Sequence, residues 1–231
     1  YSGGSWTQVG GDIDGEAAYD YSGRSVSIDS DGSHVAIGGY RNDGNGSDAG
    51  HVRVYEYSDN NSDGTSTWNQ VGGDIDGEAA GDYSGKSVSI DSDGSHVAIG
   101  ATGNDGTDSD AGHVRVYEYS GGSWTQVGGD IDGEAAGDLF GSSVSIDSDG
   151  SHVVIGAPNN DGSGLSNGGH ARVYEYSSSS WAQVGGDIDA ENASDMFGTA
   201  VSIDSDGSHV AIGGKNNDGN GSNAGHVRVY E

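Results

Sequence analysis

FGSSVSIDSDGSHVVIGAP, residues 140–158, is the stretch that decides the fold. It contains two short runs rich in β-branched residues, SVSI at 143–146 and HVVIG at 152–156. Between them lies Asp-Ser-Asp-Gly at 147–150, which favours a tight turn because glycine adopts positive φ without strain. Two such runs joined by such a turn predict a β-hairpin.

Near-copies of this hairpin occur three more times in the 231 residues. Tryptophan and the histidine that opens the second strand recur together, at intervals of 62, 56 and 57 residues: Trp6, Trp68, Trp124 and Trp181; His34, His96, His152 and His209. Each repeat holds four strand candidates, called a, b, c and d, which in the first repeat are residues 25–28, 34–38, 51–57 and 68–73. Repeats of this length with four strands each predict an all-β fold, a four-bladed β-propeller with four antiparallel strands per blade. Residues 1–231 then form a single propeller domain of four repeats of about 56–62 residues.

The two ends of the sequence continue one another. Joining the C-terminal HVRVYE to the N-terminal YSGGSW gives VYEYSGGSW, a string that occurs whole at residues 116–124. We therefore predict that the segment 1–10 completes the last blade, with residues 5–10 pairing with strand c at 226–230. Such pairing closes the ring and removes an open strand edge. A segment of a longer array is the alternative.

The composition is acidic, with 37 acidic and 8 basic residues and a net charge of −29. Leu, Ile, Val and Phe make only 36 of 231 residues, which by itself favours disorder, but they lie in short runs at a fixed repeat, which favours a folded chain. The negative charge argues against nucleic acid and anionic lipid as partners. Because there is no Cys and no apolar run of 18 residues, we expect no disulfide and no membrane insertion.

The third repeat carries FG at 140–141, GAP at 156–158 and a further strand candidate at 170–176. These motifs resemble the FG-GAP repeat of the integrin α-subunit propeller and its extracellular relatives. The fourth repeat keeps FG at 197–198, whereas the first two have serine in place of the phenylalanine. The resemblance implies a propeller fold and a secreted or cell-surface location. It also implies calcium in the a–b hairpin, but the turn DSDGS at 29–33 is shorter than the family's calcium loop.

Propeller geometry places the b–c and d–a loops on one face, and that face carries 23 of the 37 acidic residues. Closely spaced carboxylates and glycines are what a calcium site needs. We predict Ca²⁺ at the b–c loops, with these candidate ligands: Asp43, Asp48, Asp105, Asp108, Asp110, Asp161 and Asp218. The alternative is structural, because NDG segments form turns and the carboxylates of the DIDGEAAGD segments can cap backbone N–H groups.

The remaining polar residues argue against catalysis. Each repeat has a histidine at the start of strand b and another at the start of strand c, on opposite faces, and we expect these to pack or hydrogen-bond rather than bind metal. The strand-c arginines are expected to pair with acids or stack on tyrosine: Arg53, Arg115, Arg172 and Arg228. An enzyme needs residues with different roles, whereas nearly every polar residue here is repeated four times. The non-repeated residues form no recognisable set, so we expect no enzyme: Arg24, Tyr40, Arg41, Lys86, Leu165 and Lys215.

Taken together, the sequence predicts a non-catalytic, extracellular structural or adhesive module of a matrix, appendage or surface protein. Its partner would be an extracellular protein, a glycan or another copy of itself. A multivalent lectin with one Trp- or Tyr-lined pocket per blade is an alternative, and so is an engineered or consensus repeat without an evolved ligand. Four sequons predict glycosylation in loops: Asn45, Asn60, Asn192 and Asn220.

Overall fold

The structure is a computed structural model that describes residues 4–60 and 65–231. These residues form seventeen β-strands and one short 3₁₀ turn at Gly162–Gly164. All strand pairs are antiparallel, and they form four sheets, one for each repeat of the sequence. No helix within the described ranges is long and apolar enough to cross a membrane.

The strands follow the predicted order a, b, c, d in each of the first three sheets. The first sheet contains β1 (Ser25–Ile28), β2 (His34–Gly39), β3 (His51–Asn60), β4 (Thr65–Gln70) and, paired with β3, β5 (Ile75–Asp76). The second contains β6 (Ser84–Ile90), β7 (His96–Ala101), β8 (His113–Ser120), β9 (Ser123–Gln126) and, paired with β8, β10 (Ile131–Asp132). The third contains β11 (Ser143–Ile146), β12 (His152–Ala157), β13 (His170–Ser177) and β14 (Ser180–Asp189). The fourth contains β15 (Phe197–Ile203), β16 (Val210–Gly214) and β17 (His226–Tyr230).

The hairpin predicted from residues 140–158 is confirmed. Strand β11 pairs with β12 from Ser143 opposite Gly156 to Ile146 opposite Val153. Gly150 turns the chain with φ at +74°, as the sequence requires. The same pairing recurs in the other three sheets, so one local pattern accounts for all four hairpins.

The hydrophobic core lies between consecutive sheets. One surface of each sheet, here called the forward face, packs on the next sheet, and in the second sheet it contains Ala98, Val114 and Val116. The opposite surface, here called the rear face, packs on the preceding sheet, and in the third sheet it contains Val144, Ile146, Val153 and Ile155. Equivalent clusters join the first sheet to the second and the third to the fourth. Burial of apolar area between neighbours therefore holds the sheets together.

Glycine permits the closest approach between sheets. A Cβ on Gly100, in β7, would collide with the carbonyl oxygen of Gly141 in the next sheet. Gly38 and Gly156 meet the carbonyl oxygens of Gly85 and Gly198 in the same way. Glycine at this position therefore lets consecutive sheets pack closely at three junctions.

The predicted closure of the ring within one chain is not confirmed. Strand β17 pairs only with β16 among the described residues, and the predicted pairing of 5–10 with 226–230 is absent from their strand pairs. Within the N-terminal segment, Val9 instead accepts a hydrogen bond at 3.0 Å from the indole Nε1 of Trp68. The segment therefore lies against the first sheet rather than the fourth, and residues 1–3 are outside the described part of the chain.

Replacing Gly100 by alanine is expected to destabilise the fold. The new Cβ forces the second and third sheets apart at their closest point, and overpacking of this kind costs about 1–3 kcal/mol. Urea unfolding should show the loss in Gly100→Ala. Gly129→Ala is the matched control, because no described atom lies within 4 Å of the position of its Cβ. Equal stability of the two variants would contradict the packing described here.

Candidate functional site

The d–a loops, between each sheet and the next, are held by buried aspartates that cap backbone N–H groups. Asp82 Oδ2 accepts hydrogen bonds from the backbone N–H of Ala79 at 2.9 Å and of Glu78 at 3.2 Å. Asn104 Nδ2 of the b–c loop donates to the same oxygen at 3.4 Å. The same Asn–Asp pair occurs in each of the other repeats. The structural role predicted for the DIDGEAAGD segments is therefore confirmed.

The aspartates predicted to bind calcium lie on the b–c loops, where several of them also fix the loop backbone. Asp43 Oδ1 accepts from the backbone N–H of Asp48 at 2.8 Å, and Asp105 Oδ1 accepts from Asp110 at 2.8 Å. Asp161 and Asp218 accept in the same way from Asn167 and Asn223. In each pair one carboxylate oxygen is used by the loop, so calcium at these loops stays a prediction. Asp108, exposed, accepts from the backbone of the adjacent Ser109 at 2.8 Å.

Three groups of side chains have an arrangement that can hold a metal ion. Each joins a glutamate of a d–a loop, the histidine that opens strand c and the aspartate six residues after the repeat tryptophan: Glu16, His51 and Asp74; Glu78, His113 and Asp130; Glu134, His170 and Asp187. In each group the three candidate ligand atoms lie within 4.8 Å of one another. The aspartate and histidine belong to one sheet, and the glutamate belongs to the loop that leads into that sheet.

The histidine of each group is buried and lacks a hydrogen-bond partner at Nδ1 among the described residues. His51, His113 and His170 are each 1% exposed. His51 Nδ1 lies 3.7 Å from Glu16 Oε2 and 3.8 Å from Asp74 Oδ2, too far for hydrogen bonds. His51 Nδ1 thus faces two carboxylates and forms a hydrogen bond with neither. A buried polar atom without a hydrogen-bond partner lowers the stability of the fold, so this arrangement needs an explanation.

Burial keeps these imidazoles neutral. Desolvation, aided by the nearby Arg115, lowers the pKa of His113 to about 4. The pKa values of His51 and His170 are lowered as well, again mainly by desolvation. A neutral imidazole with a free Nδ1 is the form that binds a metal ion.

An arginine stands beside each group, and its position differs between them. Arg115 Nη1 lies 3.4 Å from Glu78 Oε1, whereas its Nη2 donates to the backbone oxygen of Asp76 at 2.8 Å. Arg172, in contrast, donates to both oxygens of Asp187, at 2.7 and 2.9 Å. The acid pairing and tyrosine contacts predicted for the strand-c arginines are confirmed. Because Arg172 occupies the aspartate of the third group, the first two groups are the better metal candidates.

The expectation that the histidines pack or hydrogen-bond did not foresee that the strand-c histidines lie in groups that could hold a metal ion. It rested on the two histidines of one repeat lying apart, but the partners of the strand-c histidine are carboxylates from two different loops. The sequence did hold a signal, because a glutamate precedes this histidine by 35, 35 and 36 residues in three repeats. The strand-b histidines do hydrogen-bond as expected. His96 Nδ1 lies 2.8 Å from Asp91 Oδ2, and this contact raises the pKa of His96.

A second candidate site gathers non-repeated residues between the first and second sheets. Arg41 lies over the rings of Tyr21, Tyr40 and Tyr83, with its guanidinium carbon 5.5–5.9 Å from the ring centroids. Lys86 Nζ lies 4.7 Å from the centroid of Tyr40. All of these side chains except that of Tyr21 line a cavity of about 260 Å³, together with Asp110 and others. The expectation that the non-repeated residues form no set is therefore wrong for Tyr40, Arg41 and Lys86.

Three of the four predicted glycosylation sites lie on loops, whereas Asn60 is the last residue of strand β3 and not a loop residue as predicted. Asn45, Asn192 and Asn220 are exposed. Asn45 Nδ2 donates to the backbone oxygens of Gly77 and Glu78 in the next loop, at 2.8 and 3.3 Å. The side chain of Asn60 lies outside the part of the chain that the structure describes. Modification at these positions stays a prediction.

Comparison with protein families confirms the resemblance found in the sequence. Residues 131–174 match the model of the FG-GAP repeat. This match covers β10 to most of β13, the region of the hairpin with the complete motif. A search of curated proteins found no match.

Comparison with solved structures shows a similar fold in a longer chain. The crystal structure of a "putative 6-phosphogluconolactonase" from Bacteroides uniformis ATCC 8492 has a TM-score of 0.56 and 10% identity. The match covers 90% of this chain and 49% of the other, so this chain spans about half the length of that one. The likeness shows the fold alone. It nevertheless corrects the expectation of no enzyme, because a chain of the same fold is described as an enzyme and repeated sheets therefore do not exclude catalysis.

Acidification is expected to destabilise the protein through its buried histidines. His113 has a pKa of about 4 in the folded protein and 6.5 as its ordinary value, so between these values the unfolded chain binds more protons. The contribution is fully present above pH 6.5 and is lost as the pH falls towards 4, by roughly 3 kcal/mol for the whole shift. Urea unfolding with chelator at about pH 7 and about pH 4.5 measures it.

The variant His113→Asn should lose less stability between these two pH values than the unmodified protein. His96→Asn is the control, because the raised pKa of His96 gives a contribution of opposite sign, present at low pH and lost as the pH rises. An identical loss in the unmodified protein and in His113→Asn would contradict the assignment.

Proposed function

We propose that the four sheets are blades of a β-propeller that serves as an extracellular structural or adhesive module, stabilised by divalent metal ions bound between consecutive blades. The observation that carries this proposal is the buried histidine Nδ1 of each group, which faces two carboxylates without a hydrogen bond. Long acidic loops on a rigid scaffold add support, since binding usually resides on such loops. The resemblance to FG-GAP repeats of surface proteins agrees with this location.

The donor set favours a zinc-class ion at these groups. One imidazole nitrogen and two carboxylate oxygens suit Zn²⁺, whereas Ca²⁺ prefers oxygen alone. Zinc bonds of about 2.0–2.2 Å need ligand atoms closer together than the 3.9 Å between His113 Nδ1 and Glu78 Oε2. The side chain of Glu78 is 45% exposed, so its carboxylate has room to rotate closer to His113 Nδ1. Calcium belongs, on this proposal, to the oxygen-rich b–c loops.

A metal at the second group would join two blades. Glu78 lies in the loop between β5 of the first sheet and β6 of the second, whereas His113 and Asp130 belong to the second sheet. Arg115 already crosses this junction through its hydrogen bond to the backbone of Asp76, in β5. A bound ion would add a bond to the same junction, and it would neutralise carboxylates in a chain with a net charge of −29.

Zinc is expected to raise the midpoint of thermal unfolding. A ligand at about 100 times its dissociation constant adds roughly 2.7 kcal/mol, and for a chain of this size each kcal/mol raises the midpoint by about 2–4 °C. Titration calorimetry of His113→Gln should show one zinc ion fewer per chain. His96→Gln, whose histidine lies at the a–b turn, is the matched control and should bind as the unmodified protein does.

Calcium at matched ionic strength is the second arm of this experiment. A rise with calcium that survives in His113→Gln would place the stabilising ion at the b–c loops. The absence of any rise with either ion would refute metal stabilisation and leave the carboxylates as loop caps.

Glycan binding is a second candidate, and the cavity at Tyr40 and Tyr83 favours it. Aromatic rings with a few convergent polar groups are typical of small-ligand pockets. Arg41 and Lys86 bring two positive charges to the cavity against the one carboxylate of Asp110, and they suit the carboxylate of an acidic sugar. The tryptophans of the repeats are less suited to sugar stacking in pockets, because Trp124 and Trp181 donate their indole N–H groups to backbone oxygens of the preceding repeat at 2.8 Å.

Replacing Arg41 and Lys86 together by glutamine is expected to abolish binding to acidic sugars. The probe is an array of oligosaccharides that contain uronic or sialic acid, with neutral glycans beside them. Each charge-assisted hydrogen bond to a carboxylate is worth about 1.5–3 kcal/mol, so the loss should exceed tenfold. Arg24→Gln is the control, because Arg24 is exposed and lies outside the cavity. No binding by the unmodified protein would eliminate this candidate.

A further inference from the structure

The two terminal sheets each expose a face that is buried in every other sheet. On the forward face of the fourth sheet, Val227 and Val229 are 68% and 67% exposed, although their equivalents Val114 and Val116 in the second sheet are fully buried. On the rear face of the first sheet, Val26 and Ile28 are 62% and 60% exposed. Paired apolar faces of this kind are typical of interaction surfaces.

We propose that a second copy of this chain covers these faces. The forward face of the fourth sheet in one copy packs on the rear face of the first sheet in the other, and two such contacts close a ring of eight sheets. A second copy fits these faces because the two exposed faces carry the same residues that pack against each other at the junctions within the chain. Val227 and Val229 take the places of Val52 and Val54, and Val26 and Ile28 take the places of Val88 and Ile90.

Gly213 supports this contact. It occupies the position that Gly38, Gly100 and Gly156 have in the other sheets, where a Cβ would collide with the carbonyl oxygen of the next sheet. Among the described residues a Cβ on Gly213 would meet only Ala200, at an ordinary 3.7 Å. Within one copy, therefore, no described residue near Gly213 requires glycine at this position. In the proposed assembly the backbone of Gly23, the equivalent of Gly85, Gly141 and Gly198, comes from the second copy and leaves no room for a Cβ on Gly213. Ser87 donates a hydrogen bond to the backbone oxygen of Gly141 in the next sheet, and its equivalent in the fourth sheet is Ala200. The junction between two copies therefore lacks this one hydrogen bond.

The N-terminal segment supplies the strand edge for the same contact. Trp68 Nε1 donates to Val9 at 3.0 Å as Trp124 Nε1 donates to Val71 at 2.8 Å, so residues 5–10 hold the position of a fourth strand of a preceding sheet. In the assembly this strand pairs with β17 of the other copy. The sheet that has three strands in the described chain then gains its fourth, and its open edge is covered.

The contact also completes a fourth metal group. Glu191 and His226 repeat the pair Glu78 and His113, and Arg228 Nη1 lies 3.6 Å from Glu191 Oε1 as Arg115 lies near Glu78. The aspartate six residues after the repeat tryptophan, the third member of each group, is Asp12 in the N-terminal segment. It therefore comes from the second copy. This step depends on the proposed metal binding, whereas the packing of the faces does not.

The number of copies follows from size and symmetry. The contact joins two different faces, so it generates either a closed ring or an open filament. This chain covers 49% of the similar solved chain, so two copies match the length of that chain. The charge of −29 on each copy opposes association, and salt should therefore favour it.

Sedimentation velocity at low and high salt tests the assembly. In about 1 M NaCl, where charges are screened beyond about 3 Å, the protein should sediment with twice the 23.3 kDa mass of one chain. Gly213→Ala and Val227→Asp should sediment as single chains with unchanged far-ultraviolet circular dichroism, since both positions are open in one copy. Gly129→Ala, a substitution into open space, should keep the two-copy mass.

The outcomes separate the alternatives. A single-chain mass at every salt and protein concentration overturns the proposal, and so does a two-copy mass in Gly213→Ala. Assemblies that grow beyond two copies overturn the closed ring. Each result is independent of metal binding, because the measurement is made in chelator.

Discussion

The packing of one sheet's forward face on the next sheet's rear face is the interaction on which the rest of the structure depends. A small sheet is stable only when an apolar face is packed, and the apolar residues here are too few to build a core within one repeat. The clusters around Val114 and Ile155, and around Val54 and Ile99, lie between repeats instead. Each sheet is therefore stabilised mainly by its contacts with the neighbouring sheets, as in other repeat proteins. It follows that the first and last sheets each lack half of the burial that the inner sheets have.

The parts of the fold that the sequence predicted are the local and periodic ones. The strand–turn–strand pattern of residues 140–158 is complete within 19 residues, so no distant contact is needed to recognise it. The Asp82 cap is local for the same reason. The group at His113 was missed because its members come from two loops and a strand, and only the folded path of the d–a loop brings Glu78 to the histidine. The aromatic cavity was missed because Tyr40 and Tyr83 lie on two separate loops, in different repeats.

Ring closure shows a different limit of sequence periodicity. The match between the two ends of the chain predicts that residues 5–10 pair with the edge of β17, but it does not say whether both segments belong to the same chain. Whether one chain closes on itself depends on the angle between sheets, which the repeat pattern does not encode. The exposed Val26 and Val227 show that four sheets leave both terminal faces open in this structure.

Repetition and uniqueness divide the molecule into two kinds of surface. The strand-c arginines that recur in every repeat contact the d–a loops at the junctions between sheets, where the same geometry is needed each time. Arg41 and Lys86 have no equivalents, and both lie at one junction over the rings of neighbouring tyrosines. A repeated scaffold thus does not prevent a single specialised site, because a few substitutions in one repeat are enough to build it. For this reason the search for a ligand belongs at the first junction, even though groups that could hold a metal ion recur in the first three repeats of the described chain.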